Sequence, residues 1–409
     1  MAVTVCLMIL SGLMTAYADD ASPEIKILAY NVWGIYNARF REERMAEIVK
    51  EIVELDPDVA ILVEAFEKPH REIILQGLKS LDSPLTNVRY FPNADYGSGI
   101  FVLSRYPVVK DDLVPFRVYV PPGSGEEKMG KSMATLRLRT PHGDILLVGL
   151  HALSRTMFPR IGGRIIQTDA RKCARLLQMY EIAKTLDERR KQEKVNAVVV
   201  GGDFNVFPGL LEYELLMALS GFANVYDEVH PGEDESTFSS ENPFTLIPLK
   251  WMDQRIDHLI YADFSEREGP RLAAMDARVV MKQTFEGPDG KQINMSDHYG
   301  ILARFAVDKD AQVLKHAPIR AGTLVSRDED DWLNAELKKA RPDFRKNPDL
   351  WTRFALLVLK TKNDEIIYKS RAVKAAAKII VQIHGKEEFK LKFRDRKALR
   401  NFLKEQSGL

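Results

Sequence analysis

From residue 24 onward the chain alternates between segments patterned as buried strands and segments patterned as amphipathic helices. IKILAYNVWG (25–34) predicts a strand that runs into a loop, and DPDVAILVEAF (56–66) predicts a second, buried strand. Between them, REERMAEIVKEIVEL (41–55) places its apolar residues on one helical face. A second, longer helix is predicted over residues 169–190, with a solvated face of basic and acidic side chains.

Further apolar runs complete a set of strands with few helices between them. They are GIFVLSRYPVV (99–109), ILLVGLHALS (145–154), VNAVVVGGDFN (195–205), RIDHLIYADF (255–264) and YGILARFAV (299–307). Many strands with few intervening helices predict an α/β fold of two packed sheets flanked by helices.

Both ends of the chain differ from this middle part. Residues 1–18 hold an apolar run followed by Ala-Tyr-Ala, which predicts a signal peptide and an exported protein, periplasmic or secreted, of a bacterial cell. The alternatives are an uncleaved anchor and a wrongly assigned start codon. Residues 311–409 carry a marked excess of Lys and Arg, and their pattern of hairpins and helices predicts a separate small α+β domain. The partner of this basic domain would be acidic: anionic lipid, nucleic acid or the preceding part of the chain (1–310), which is acidic overall and is called the front domain.

Composition adds only that the chain is globular, with 45% hydrophobic and 29% charged residues. More informative is a set of polar residues that end or interrupt the apolar strands. These are Asn31, Glu64, His151, Asp203, Asn205, Asp257 and the pair Asp297-His298. Each alone fits a capped turn, but a buried carboxylate is costly unless it is paired or bound to a cation. Oxygen and imidazole ligands without thiolates favour Mg²⁺ and predict metal-assisted hydrolysis of a phosphate ester.

The motifs NVWG, LVEAF, GSGIFVLSRYPV, GDFN, RIDHLIY and SDHYG, in this order, resemble those of the endonuclease/exonuclease/phosphatase family. The resemblance covers roughly residues 24–307. It implies a DNase I-like fold, a four-layer α/β sandwich, and Mg²⁺ as the cofactor, with Mn²⁺ as a substitute. It also implies Glu64 as the main metal ligand, with Asn31 and Asp297 beside it. Asp95 is a candidate for a second cation, and a turn role is the alternative.

The resemblance also divides the catalytic roles. It implies His298 as the general base, oriented by Asp257, and Asp203 as the residue that orients or activates the water. Asn205 and His151 would stabilise the pentacoordinate phosphorus. A histidine beside a carboxylate is chemically suited to accept a proton from water.

One further motif, GEEKMGKS (125–132), fits the P-loop formula. A P-loop opens a helix, whereas the following MATLRLRT alternates like a strand, so we reject an NTPase. The stretch resembles neutral sphingomyelinases, in which Lys131 would face the lipid phosphate; a solvated hairpin lysine is the alternative.

The sphingomyelinase branch implies cleavage of sphingomyelin to ceramide and phosphocholine at a phospholipid surface. The segment after His151 departs from that branch at Ala152-Leu153, which leaves the head-group contacts open. A secreted nuclease, a phosphatase or phospholipase C for another phospholipid or inositol phosphate, and a binding module remain alternatives. The acidic front domain weighs against a nuclease, which needs a basic face.

Overall fold

The computed structural model describes residues 23–116, 126, 128–155, 158–159, 165–166, 172–193, 195, 197–245, 253–263 and 271–308. The predicted signal peptide and the predicted C-terminal domain (311–409) lie outside the described residues. None of the helices in the described ranges combines the length and the apolar composition that crossing a membrane requires.

Strands dominate the described ranges. They are β1 (Glu24–Asn31), β2 (Val59–Val63), β3 (Asn87–Tyr90), β4 (Phe101–Ser104), β5 (Val108–Pro115), β6 (Ser132–Thr140), β7 (Gly143–His151), β8 (Phe158–Pro159), β9 (Ile165–Ile166), β10 (Ala197–Asp203), β11 (Ala223–Asn224), β12 (Asp257–Asp263), β13 (Arg271–Val280), β14 (Thr284–Glu286), β15 (Gln292–Asn294) and β16 (Gly300–Asp308). The helices are α1 (Arg41–Leu55), α2 (Lys68–Ser80), α3 (Lys172–Glu193), α4 (Leu211–Ser220) and α5 (Val225–Val229).

Two six-stranded sheets form the centre of the fold. The first sheet has the order β13-β16-β1-β2-β4-β3 and the second has the order β11-β12-β10-β7-β6-β5. β1 pairs with β2 in parallel, and β10 pairs with β7 in parallel, whereas their other neighbours are antiparallel. In each sheet the parallel pair therefore ends at the same edge, which gathers the residues that follow those strands.

Strand alternation divides the apolar residues among three cores. Ile27 and Ile61 of the first sheet pack with Leu147 and Val199 of the second, in a core between the sheets. Gly201, at an inward position of β10, leaves room for the opposite sheet, because a Cβ there would lie 2.8 Å from the Ile61 Cδ1 atom.

The outward residues of both sheets pack against helices. Leu28 and Leu62 of the first sheet contact the apolar stripe of α1, while Val148 and Val200 of the second belong to a cluster with Met179 of α3. The layers are therefore helices, sheet, sheet and helices. This confirms the predicted four-layer α/β sandwich.

One sequence expectation needs correction in detail. The run 99–109 is two strands, because β4 belongs to the first sheet and β5 to the second. The chain crosses between the sheets at Arg105–Pro107, where the Ser104 hydroxyl accepts a hydrogen bond from the Tyr106 N–H and proline ends the ladder. Helix α2 and strand β13 lacked a clear sequence signal. By contrast, MATLRLRT lies in strand β6, so the rejection of a P-loop is confirmed.

Candidate active site

Sheet register aligns four of the predicted residues along one end of the second sheet. Asp203, the last residue of β10, lies opposite His151 of β7 on one side and Asp257 of β12 on the other. His151 in turn lies opposite Ser132, the residue after Lys131. Residues far apart in the chain thus become neighbours because each ends or begins a strand at the same edge.

The first sheet contributes Asn31 and Glu64 to the same place. Asn31 ends β1 and pairs with Val63, the last residue of β2, so Glu64 follows directly. The Asn31 Nδ2 atom donates to the Asp203 Oδ2 atom at 3.2 Å, a buried hydrogen bond that joins the two sheets. The Asn31 Oδ1 atom accepts from the Trp33 N–H at 2.9 Å, which fixes the orientation of the amide.

His298 and Asp257 form a buried hydrogen-bonded pair. The His298 Nδ1 atom lies 2.8 Å from the Asp257 Oδ2 atom, and the ring packs edge-on against Phe238. The carboxylate accepts a hydrogen bond from Nδ1–H, which leaves Nε2 as the nitrogen able to exchange a proton with a substrate or water. Burial alone lowers the pKa of an imidazole, but the Asp257 carboxylate, helped by Asp297 and Asp203, raises the pKa of His298 well above its ordinary value.

Glu64 adopts a backbone conformation that glutamate rarely takes. Its φ of 62° lies in the left-handed region, a conformation that costs roughly 1–3 kcal/mol and persists where the surroundings enforce it. Gly34 packs so closely against this residue that a Cβ would lie 2.4 Å from the Glu64 carbonyl oxygen. Burial raises the pKa of the Glu64 carboxyl, and the ammonium of Lys131 partly offsets that effect. Strain and burial at one carboxylate are typical of a functional position.

Asp203 and Asn205 are held together by a turn. The Asn205 N–H donates to the Asp203 Oδ1 atom at 2.8 Å, and Asn205, with φ of 53°, donates its Nδ2 to the Ala152 carbonyl at 3.1 Å. Burial, together with the neighbouring Asp257, raises the pKa of Asp203 to about 7. The turn expected for this stretch is present and orients both side chains, and their roles in a site stay a prediction.

Lys131 is buried rather than solvated, with 6% of the residue exposed. Its ammonium contacts the His151 Nε2 atom and lies 3.5 Å from the Glu126 Oε2 atom. The expectation of a solvated hairpin lysine is therefore wrong. Burial and the positive charge of Lys131 lower the pKa of His151 well below its ordinary value, so the ring is neutral and its Nε2 accepts from the ammonium.

The residues around Glu64 fit a hard cation. In the described part of the chain the buried Glu64 Oε2 atom has no hydrogen-bond partner. Burial, together with the neighbouring Glu64 carboxylate, raises the pKa of Asp297 to about 6. A divalent cation would relieve both conditions, and Asn31 offers a neighbouring amide oxygen. Glu64, Asn31 and Asp297 thus stay the predicted ligands.

A second group of ligand atoms lies beside this one. Among the described residues, one ligand atom from each of Asp203, Asp257 and His298 lies within 4.8 Å of the others. Because His298 Nδ1 is hydrogen-bonded to Asp257, we interpret this group first as a proton-transfer pair beside an acidic residue. Asp95 does not belong to it; it lies in an exposed turn, and its role as a second ligand stays a prediction.

Arg44, a fully buried cation beneath the site, was not predicted from the sequence. Its guanidinium donates to the carbonyls of Val32, Trp33 and Met295 at 2.8–3.0 Å, and it lies 4.8 Å from the Trp33 ring centroid. It therefore ties the loop after β1 to the loop that carries Asp297. A signal existed: Arg44 precedes Ile48 by four residues, on the apolar face of α1.

Two further positioning residues also escaped notice. The Thr237 hydroxyl accepts the Asp257 N–H at 3.1 Å, and its carbonyl accepts the Tyr299 N–H at 2.6 Å, so one residue holds both halves of the His298–Asp257 pair. His258 lies on the opposite face of β12, with its Nε2 bonded to the Val206 carbonyl at 2.8 Å. Burial lowers the pKa of His258 to about 4, so this histidine is neutral.

One family model and several known proteins match the sequence of this chain. The model of the Endonuclease/Exonuclease/phosphatase family matches residues 28–298. Inositol phosphosphingolipids phospholipase C of Schizosaccharomyces pombe is 25% identical over 221 residues, which is 53% of this chain and 49% of that protein. Sphingomyelinase C of Leptospira interrogans is 22% identical over 340 residues, covering 73% of this chain and 57% of that protein. The chain thus spans about half the length of these relatives.

A solved structure shows the same fold. It is a beta toxin variant from Staphylococcus aureus with bound magnesium ions, which aligns with a TM-score of 0.53 and 18% identity over 69% of this chain and 99% of the toxin. The predicted DNase I-like architecture is thereby confirmed.

Proposed function

The chain belongs to the Endonuclease/Exonuclease/phosphatase family, and on that premise we propose that it is a Mg²⁺-dependent phosphodiesterase of phospholipase C type that hydrolyses sphingomyelin to ceramide and phosphocholine. The observation that carries the proposal is the convergence at one edge of both sheets. There the His298–Asp257 pair lies beside Asp203 and near the buried, unpartnered Glu64 oxygen. Relatives named as phospholipase C and sphingomyelinase support this substrate class.

The proposed chemistry begins with the removal of a proton from water. His298 accepts it at Nε2, and the Asp257 carboxylate accepts a hydrogen bond from Nδ1–H and stabilises the imidazolium that forms. Asp203 accepts a hydrogen bond from the other O–H of the water and so orients the water oxygen toward phosphorus. A bond forms between the water oxygen and phosphorus, and the bond from phosphorus to the ceramide oxygen breaks. The ceramide oxygen takes up a proton from solvent water, and the His298 imidazolium returns its proton to solvent.

Donors for the developing phosphate charge lie on the other side of Asp203. The Asn205 amide uses one N–H for the Ala152 carbonyl, which leaves its second N–H for a phosphate oxygen. Two N–H groups of the Lys131 ammonium face His151 and Glu126, which leaves the third N–H for a phosphate oxygen. Neutral His151 receives the bond from Lys131 and so aims that cation.

A bound Mg²⁺ would supply positive charge that offsets the phosphate and the clustered carboxylates. Glu64, Asn31 and Asp297 are the residues proposed to hold it. The same charge would lower the pKa of His298 again, which a base working near neutral pH requires.

The test is phosphocholine release from sphingomyelin vesicles with Mg²⁺ and with EDTA, run beside phosphatidylcholine vesicles, inositol phosphosphingolipid vesicles and plasmid DNA. We expect metal-dependent release from sphingomyelin. Glu64→Gln should lower kcat at least a hundredfold and should abolish the Mg²⁺-dependent rise in melting temperature, a readout independent of turnover. Glu72→Gln, at an exposed position of α2, is the matched control.

The other outcomes each identify a different branch. Release from inositol phosphosphingolipid alone would retain the phospholipase C chemistry and overturn the choline head group. Nicked plasmid with silent vesicles would overturn the lipid substrate in favour of a nuclease. Equal activity of Glu64→Gln and Glu72→Gln would overturn the assigned cation site.

A further inference from the structure

Two exposed tyrosines stack on each other beside the candidate active site. In the described part of the chain Tyr36 and Tyr96 are 67% and 43% exposed, and the other large hydrophobic residues as exposed are Leu81 and Met275. The two tyrosine rings lie 6.3 Å apart between centroids and are inclined by 13°, an offset stack. Leu81 and Met275, by contrast, lie at the end of α2 and on strand β13. We call the Tyr36–Tyr96 pair the tyrosine platform.

The platform is anchored to the loops that carry the site. Tyr36 lies five residues after Asn31, in the loop that Arg44 holds. The Tyr96 N–H donates to the Lys128 carbonyl at 3.1 Å, and the neighbouring Gly97 carbonyl accepts the Gly130 N–H at 2.8 Å, directly before Lys131. The same loop continues to Gly99, whose carbonyl accepts the Ala65 N–H at 2.9 Å, directly after Glu64. A surface that binds the platform would therefore lie next to Glu64 and Lys131.

The chemistry of the platform suits the interface of a bilayer. Tyrosine combines an apolar ring with a hydroxyl, and it concentrates at the level of the lipid head groups, where one end is apolar and the other is wet. Among the described residues, the exposed charges beside the platform include Lys128 and Asp95, of opposite sign, and Arg39, which is paired with Asp289, so they match a head group that carries both charges. An anionic surface would instead call for a cluster of unpaired basic residues.

We propose that the tyrosine platform docks the enzyme on the zwitterionic phosphocholine surface of a bilayer, with the rings at the head-group level and the candidate site facing the lipid. This inference rests on the proposed function for its substrate and extends it by identifying the surface that meets the membrane. It needs no bound cation, so docking occurs with EDTA present.

The test measures binding and turnover separately. Binding is followed by cosedimentation of the full chain with phosphatidylcholine vesicles in EDTA, where no product forms. The Tyr36→Ser/Tyr96→Ser variant should lower the partition coefficient about tenfold. Leu81→Ser/Met275→Ser, which removes two apolar side chains of similar exposure elsewhere, is the matched control and should bind like the parent. Melting temperatures verify that both variants fold.

Turnover is expressed as the rate on sphingomyelin vesicles divided by the rate on a soluble phosphocholine ester, so that any effect on chemistry cancels. We expect this ratio to fall only in the tyrosine variant.

Unchanged binding by that variant, or an equal loss in the control, would overturn the docking surface. Binding that disappears in 0.5 M NaCl would identify basic residues as the anchor instead and would also overturn it. A raised KM on the soluble ester with an unchanged ratio would assign the tyrosines to the head group and refute docking. Silent vesicles and silent ester with normal binding would refute the proposed function alone.

Discussion

Replacing His258 with phenylalanine tests how the loop carrying Asn205 is held. In the parent protein the His258 Nε2–H donates to the Val206 carbonyl at 2.8 Å, and the Nδ1 atom accepts from the Asn224 amide at 3.0 Å. Phenylalanine keeps a ring against Phe204 and Tyr213 but leaves both partners without their hydrogen bonds in a buried place. Each orphaned group costs about 1–3 kcal/mol, so the free energy of unfolding at pH 7.5 should fall by about 2–6 kcal/mol.

The pH dependence of this loss is a sharper expectation. The pKa of His258 is about 4 in the folded protein and about 6.5 when unfolded, because burial disfavours the charged ring. The stabilisation from the neutral ring is therefore complete above pH 6.5 and is lost as the pH falls toward 4. The phenylalanine variant has no proton to take up there. The gap between parent and variant should narrow by about 2 kcal/mol between pH 7.5 and pH 5.

The assay is urea unfolding of both proteins at the two pH values, with His142→Phe as the baseline for losing a histidine that is only partly buried. Other titrating groups cancel in the difference between parent and variant. A gap that stays constant with pH would refute a His258 held neutral by burial. A loss below 1 kcal/mol at pH 7.5 would refute the importance of its two hydrogen bonds.

Two further substitutions probe the supports of the site. Arg44→Lys supplies fewer donors for the backbone carbonyls that now accept from the guanidinium, so the free energy of unfolding in urea should fall by about 3 kcal/mol. A loss no larger than that of the exposed Arg39→Lys would contradict the proposed role of Arg44 in holding the two loops together. Gly34→Ala would place a methyl group 2.4 Å from the Glu64 carbonyl oxygen, so kcat should fall at least tenfold while the melting temperature in EDTA drops only moderately; unchanged turnover would show that the loop moves aside without displacing Glu64.

The candidate residues at strand ends were open to prediction from the sequence. Asn31, Glu64 and Asp203 each follow a run of apolar residues. Burying a polar or charged side chain away from water costs too much free energy unless the side chain has a partner. The pattern therefore indicated both the strands and the polar residues at their ends that are candidates for a site. The same reasoning rejected a P-loop, because Ala134, Leu136 and their neighbours alternate as a strand does.

Which side chains contact each other across the fold cannot be predicted from the local pattern of apolar and polar residues. Asp257 and His298 are separated by 41 positions along the chain, and their 2.8 Å contact follows from the placement of β12 and β16 in two different sheets. Arg44 and Thr237 hydrogen-bond to backbone groups of segments that are distant in the chain, and the local pattern does not specify those partners. Whether Lys131 is solvated or buried likewise depended on how its segment packs against His151.

The apolar and polar pattern by itself thus indicated the inner strands of both sheets and the polar residues that end or interrupt them, because burial of apolar surface is a local demand. Which of those residues meet, in what protonation state and with what support was decided only by the tertiary structure. The reason is that sheet register, side-chain direction and desolvation are properties of the packed chain.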